Sequence, residues 1–286
     1  VMLSDVKRAY FHALAKRELY VELPPEDVGY QPGYVGRLHL ALYGTRDAAS
    51  LWQECLSQHL ADIGFVRGKS NPCVFYNAEK NFRTLVHGDD YVLAGSIESM
   101  DWMEKELAKA YELQTQKLGG AGDCKIEGKV LNRILRRTED GWEVEADPRH
   151  AELVIEQLGL GDDKGVGRPG VSGPDEDDND EDTPLVGEDV TRFRGVSPRC
   201  NYLGTDRPDC LFAIKEGCRE MSSPTTGSLR RLRRIGRYLR KYLRRIWKYD
   251  MQAEQSEITI RTDANWAGCK VSRKSTSGGA ITIGTH

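Results

Sequence analysis

Between Asp175 and Asp182 the chain carries seven acids in eight positions, interrupted only by Asn179. No packed element can absorb such a run, because like charges at that density repel and cannot be buried. Pro174, Pro184 and the glycines at 165, 167, 170 and 173 surround it. The stretch from 161 to 190 therefore reads as a solvated, flexible linker, with an interaction tail or a nucleic-acid mimic as the functional alternative. It divides the 286 residues into two blocks, each long enough to bury a core.

The acidic run has a counterweight. Residues 229–249 hold ten Lys or Arg and no acid, so the net charge of −3 conceals two opposed blocks. Leu229, Leu232, Ile235, Leu239, Tyr242 and Ile246 recur at spacings of three and four. That pattern predicts an amphipathic helix with a dense basic face. A phosphate backbone is its natural partner; a membrane surface or plain solvent are the competing readings. No apolar run reaches the ~18–20 residues of a membrane span, and the first residues lack the pattern of a signal peptide. The seven cysteines are scattered and form no C-x-x-C pair. That argues against a disulfide framework or a structural zinc site, and for reduced thiols.

Before the linker, strands and helices alternate. Residues 2–6 read as a strand, 48–64 and 100–111 as helices, and 74–76, 84–87 and 91–94 as strands. Residues 125–137 and 142–146 form a hairpin closed by Asp140-Gly141, and Asp147-Pro148 opens a helix to about Gly159. After the linker come helices over 209–222 and 228–247 and strands over 257–262 and 279–283. The whole is expected to be α/β or α+β.

Gly88-Asp89-Asp90 is the sharpest local feature, lying between Thr84-Leu85-Val86 and Tyr91-Val92-Leu93. Adjacent carboxylates on a hairpin tip suit hard divalent ions, which take oxygen ligands. An ordinary turn is the plain alternative. Asp5, at the end of a short strand, offers a third carboxylate. An acid leaving one strand and an Asp-Asp hairpin downstream is the arrangement of two-metal nucleotidyl transfer, with two ions about 4 Å apart.

On these residues the sequence resembles the reverse transcriptase of copia-type long-terminal-repeat retrotransposons. Asp5-Val6-Lys7-Arg8-Ala9-Tyr10-Phe11 is similar to the family's first catalytic motif, and Leu19-Tyr20-Val21-Glu22-Leu23-Pro24 to its I-Y-M-x-x-P segment. Leu42-Tyr43-Gly44-Thr45-Arg46-Asp47-Ala48 with Trp52 resembles L-Y-G-L-K-Q-A-P…W. Gly64-Phe65 and Ser70-Asn71-Pro72-Cys73-Val74-Phe75 resemble G-F…S-D-P-x-x-F, and His87-Gly88-Asp89-Asp90 stands at Y-V-D-D. Further on, Arg207-Pro208-Asp209 and Arg234-Ile235-Gly236-Arg237-Tyr238-Leu239 resemble the connecting region. Thr262-Asp263-Ala264-Asn265-Trp266-Ala267-Gly268 and Arg273-Lys274-Ser275-Thr276-Ser277-Gly278 resemble the opening of the ribonuclease H domain.

The resemblance implies an α+β fold. A polymerase palm and primer grip (1–160; antiparallel sheet with flanking helices) is followed by the linker (161–190). A basic helical connection (191–250) and a truncated ribonuclease H-like segment (251–286) complete it. It makes Asp5, Asp89 and Asp90 catalytic carboxylates holding Mg²⁺ or Mn²⁺. Tyr10, Lys7, Tyr43 and Gly44 become substrate-binding residues, Tyr10 by placing a ring against the sugar, while Trp52 is read as core packing. By the same resemblance, residues 125–132 are expected to correspond to the primer-gripping hairpin, with Gly128 at a family glycine. Arg230, Arg233, Arg234, Arg237, Arg240, Lys241 and Arg244 would track phosphates. Asp263 is left as the vestigial ligand of a ribonuclease H site, for which no activity is expected. The implied partners are an RNA template, a DNA primer, deoxynucleoside triphosphates and the rest of a Pol polyprotein, with no membrane. The implied location is cytoplasmic, in a virus-like particle, or nuclear. A non-catalytic nucleic-acid-binding remnant is the alternative function. The pattern departs from the family in three places: no fingers region precedes Val1, Asp47-Ala48-Ala49 replaces Gln-Ala-Pro, and His87-Gly88 replaces Tyr-Val.

Overall fold

The computed structural model describes residues 1–171, 182–269 and 272–286. The acidic run up to Glu181 lies outside the described residues. The described chain is mixed, with six α-helices and antiparallel strands, as the α+β expectation requires. It divides into two compact units. The first comprises residues 1–131 and 136–139, the second 132–135 and 140–286.

The first unit begins with β1 (Met2–Val6), then the small hairpin β2 (Tyr20–Glu22) and β3 (Val35–Arg37). Helix α1 (Ala48–Asp62) and strands β4 (Val66–Arg67), β5 (Val74–Asn77), β6 (Phe82–His87) and β7 (Asp90–Ala94) follow. Helix α2 (Ile97–Ala108), β8 (Leu113–Lys117) and β9 (Glu127–Val130) complete it. Six strands form one sheet in the order β4-β5-β6-β7-β1-β8, so the N-terminal strand is inserted beside the β6–β7 hairpin. Alternation explains the packing: along β6, Phe82, Thr84 and Val86 are buried while Arg83 and His87 are exposed. The buried face meets Trp52, Leu56 and Leu60 of α1 and Met100, Met103 and Leu107 of α2. Ser96 caps α2 by accepting from the Ser99 amide at 3.2 Å.

Strand β8 escaped the sequence reading. Leu-Gln-Thr-Gln-Lys is polar after its first residue, and its extended form comes from pairing with β1, Met2 opposite Lys117 through Val6 opposite Leu113. The predicted strand over 125–137 is also broken. Leu131 and Asn132 both take positive φ, 47° and 64°, and turn the chain into β10 (Arg133–Arg137), whose residues are shared between the units.

The second unit contains β11 (Gly141–Glu145), α3 (Arg149–Gln157), α4 (Glu188–Gly204), α5 (Pro208–Gly217) and α6 (Thr226–Lys241). Strands β12 (Ile246–Asp250), β13 (Ile258–Asn265) and β14 (Thr276–Ile283) close the chain. The basic segment is thus a shorter helix than its periodicity suggests. Leu232, Ile235 and Leu239 are buried on the expected stripe, but Ile246 belongs to β12, which pairs with β11 as Ile246 opposite Glu145. Pairing with a partner strand overrides the helical period beyond Lys241. Helix α4 is not foreseen from periodicity, because its interior contains Gly195 and Pro198. Helices α3 to α6 share a core of Val154, Leu160, Phe193, Cys200, Ile214 and Leu239. Within it Arg207 is 1% exposed; it donates to both carboxylate oxygens of Asp209, at 3.0 and 2.9 Å, and the Tyr238 hydroxyl donates to Asp209 at 3.0 Å. Gly236 lets α6 approach Leu160: a Cβ there would stand 2.4 Å from Leu160 Cδ1.

Candidate active site at the β1 and β7 sheet end

The register of two neighbouring strands assembles the acids. Asp5, next to last in β1, lies opposite Asp90, first in β7. His87 lies opposite Asp90 across the β6–β7 hairpin, which leaves Gly88 and Asp89 as the two-residue loop. Gly88 takes φ +66° and Asp89 does not take positive φ, which is the requirement of a type II′ turn. Glycine therefore suits this turn, where a side chain would be strained. The Val6 amide donates to the Asp89 carbonyl at 3.1 Å, tying the loop to β1.

All three acids are half-buried. Burial pushes the Asp5 carboxyl above the usual range, and the charges of Asp89 and Asp90 push it the same way, against Lys7. Asp90 is raised by burial and then by Asp89, against His87. Mutual repulsion of this kind marks a place where a cation would be stabilising. Among the described residues no group of three or more His, Cys, Asp or Glu is close enough to hold a metal ion. The carboxylates converge by register without closing into a cage. In kind they fit a hard divalent ion, being oxygen donors whose like charges need neutralising.

Beside the acids the chain turns through a short 3-10 helix, Ala9–His12, entered by Arg8 at φ 56°. This places Tyr10 on Tyr43, with ring centroids 4.3 Å apart and planes 25° apart; the Phe11 ring meets Tyr43 edge-on at 5.6 Å. Two sequence-selected residues from distant segments thus form one aromatic pair. Gly44 follows at φ +91° with open space where a Cβ would be. Lys7 is ion-paired with Glu112 at 2.5 Å, both side chains being exposed. A cleft of about 170 Å³ runs beside the turn, lined by Tyr10, Trp52, Leu56, Phe75, His87 and Gly88.

Trp52 contributes more than core packing. It is 1% exposed and its indole N–H donates to the Gly88 carbonyl at 2.9 Å. A buried indole needs an acceptor, but nothing in the sequence indicates which one. Asp47 makes an ion pair rather than a helix cap. It stands at the N-cap of α1 without a side-chain capping bond. Its carboxylate instead accepts from Arg17 Nε and a terminal guanidinium nitrogen, at 2.8 and 2.7 Å. The Arg17 guanidinium holds the Asp47 carboxyl down to about 2.

The sequence-selected basic residues of the second unit make several protein contacts. Arg233 donates to the Leu158 carbonyl at 3.1 Å and faces Asp163 at 3.4 Å. Arg237 donates to the Lys164 carbonyl at 2.9 Å and Arg240 to that of Asp163. Arg244 makes two bonds to the buried carboxylate of Glu145, at 2.5 and 2.7 Å. Arg230 and Arg234 are half-buried and Lys241 is exposed. Asp182 accepts from the Gly227 amide at 2.8 Å, capping α6 together with the Thr225–Ser228 capping box. Asp263 lies on β13, opposite Gly278, in a hairpin whose strands are exposed almost throughout. No helix among the described residues is long and apolar enough to cross a membrane.

Residues 1–121 match the family model described as reverse transcriptase (RNA-dependent DNA polymerase). Across 99% of its length the chain is 26% identical to a retrovirus-related Pol polyprotein from transposon RE1 of Arabidopsis thaliana, and equally to that from transposon RE2. It spans 19% of each of those relatives. It is also 24% identical to a transposon Ty5-1 protein of Saccharomyces cerevisiae, over 98% of this chain and 88% of that protein. The recognition drawn from the motifs is supported: residues 1–121 match the reverse transcriptase family, and the relatives are Pol polyproteins of transposons, in keeping with a copia-type reverse transcriptase.

Proposed function

We propose that the sheet end of the first unit is the nucleotidyl-transfer centre of an RNA-directed DNA polymerase. The observation that carries this reading is the register placing Asp5 opposite Asp90, with Asp89 in the connecting loop. Asp5 and Asp89 are the direct ligands of Mg²⁺ or Mn²⁺ and Asp90 is the third carboxylate. When bound, the ions lower the pKa of the primer 3′-hydroxyl and neutralise charge on the triphosphate.

The chain's own residues bind and orient the substrates. Tyr10, braced by Tyr43, offers a flat ring to the sugar of the incoming deoxynucleotide, where a 2′-hydroxyl would clash or lie unpaired. The open backbone at Gly44 leaves room beside it. Lys7 supplies positive charge to the triphosphate. Its exposed pair with Glu112 is worth only about 0–1 kcal/mol, so exchanging carboxylate for phosphate costs little. The basic surface of α6 and the residues just after it holds the phosphates of the template–primer duplex through Arg230, Arg233, Arg234, Arg237, Arg240, Lys241 and Arg244. The rest of the polyprotein is the further partner, and the compartment is the cytoplasm.

Primer extension on an RNA template with Mg²⁺ or Mn²⁺ tests the proposal. Extension by the chain that disappears in Asp89→Asn supports it; extension that survives the substitution contradicts the assignment. The second reading, a nucleic-acid-binding remnant without catalysis, draws on the three acids not closing into a cage. It predicts duplex binding that falls steeply with salt and is indifferent to Mg²⁺.

A further inference from the structure

We infer that Trp52 is a positioning residue that sets the aim of Asp89 through the carbonyl of Gly88. This deepens, and rests on, the proposed nucleotidyl-transfer centre. The type II′ loop between β6 and β7 has two central residues, and each carbonyl is held by a donor from outside the hairpin. The Trp52 indole N–H holds Gly88 at 2.9 Å, and the Val6 amide holds Asp89 at 3.1 Å. The first clamp comes from α1, the second from β1, which carries Asp5. The loop is therefore fixed in orientation with respect to the strand that supplies the opposing carboxylate.

The indole itself is held. It is buried at 1% exposure, and its ring meets Tyr111 edge-on at 5.3 Å and His12 at 6.1 Å. Tyr111 in turn packs edge-on against His12 at 5.0 Å and His59 at 5.2 Å. A donor so enclosed cannot swing to another acceptor. Gly88 lacks a side chain, and its positive φ makes it the most mobile backbone in the loop when unclamped. Without the indole N–H, the Gly88 peptide is free to rotate, and the Asp89 side chain rotates with it.

The cleanest test replaces Trp52 with β-(3-benzothienyl)alanine in the full chain, which keeps ring and volume and substitutes sulfur for N–H. Trp52→Phe is the genetic counterpart. Leu60→Val, two turns further along α1 in the same core, controls for lost stability. Hydrogen exchange of the peptide covering residues 86–91 is read alongside Mn²⁺ affinity measured by electron paramagnetic resonance. Exchange accelerated about tenfold in both position-52 variants, with Mn²⁺ affinity about tenfold weaker, is the expected result. Leu60→Val should change neither at an equal loss of melting temperature. Exchange unchanged in the benzothienyl variant overturns the inference, as does an equal acceleration in Leu60→Val. If Mn²⁺ binding is absent from the parent chain, or is undiminished by Asp89→Asn, the metal site itself fails; the exchange measurement then still decides the role of Trp52.

Discussion

Two antiparallel hairpins in this chain carry acids that sequence motifs single out, and they have different fates. The β6–β7 hairpin lies inside a six-stranded sheet, with β1 on one side and α1 and α2 across its buried face. Asp90 therefore meets Asp5 from the neighbouring strand, and the loop bearing Asp89 is clamped from two directions. The β13–β14 hairpin is a two-stranded sheet on its own, with Ile258, Ile260 and Ile281 more than 60% exposed. Asp263 sits there opposite a glycine. A motif acid acquires perturbed chemistry when neighbouring elements supply a second carboxylate and partial burial.

The sharpest way to break this comparison is to neutralise one acid on each hairpin system. Asp5→Asn should remove several kcal/mol of transition-state stabilisation, about 10³-fold in extension rate, whereas Asp263→Asn should leave the rate unchanged. Equal losses would show that the hairpins do not differ as described. The helical core of the second unit is tested next. Arg207→Met leaves Asp209 buried without its cation and should cost about 3–5 kcal/mol. Urea denaturation would show this as a lowered transition in the second unit, while the tryptophan and tyrosine signals of the first unit persist. Third is Gly236→Ala, which drives a Cβ into Leu160 and should cost about 1–3 kcal/mol despite alanine's higher helix propensity. A stabilised Gly236→Ala would mean that α6 and the 158–160 turn are not in close contact.

The smallest effect belongs to the Arg17–Asp47 pair. Its folded carboxyl is depressed to about 2 from an ordinary 3.8. Its contribution is therefore present above about pH 4 and is lost as the pH falls toward 2. The pair is exposed, so the difference in melting temperature between the chain and Asp47→Asn should be slight at neutral pH and vanish in acid. A difference that grows in acid would contradict the sign.

How much of this the sequence discloses depends on what drives each element. Strands β1, β6 and β7 and helices α1 and α2 follow from apolar periodicity, and the Gly88-Asp89 loop from the two β segments around it. Strand β8 does not, because its polar residues are extended only through pairing with β1. The basic helix shows its buried stripe but not its end, since the period continues past Lys241 while the backbone leaves for β12. The carboxylates were legible as a motif; their alignment was not, being a product of strand register. Trp52 read as core and is core, yet the acceptor of its N–H lies 36 residues away. The arginines of α6 show contacts that sequence does not disclose. A basic face looks free in sequence, but Arg233, Arg237 and Arg240 reach carbonyls of the 158–164 segment that periodicity cannot foresee.

The central claim, that the β1 and β7 sheet end is a divalent-metal site, is tested most directly by titrating Mn²⁺ into the full chain and following free ion by electron paramagnetic resonance. The account predicts saturable binding that is lost in Asp89→Asn and in Asp5→Asn and retained in Asp263→Asn. Binding that persists in the first two variants, or disappears only in the third, would contradict it.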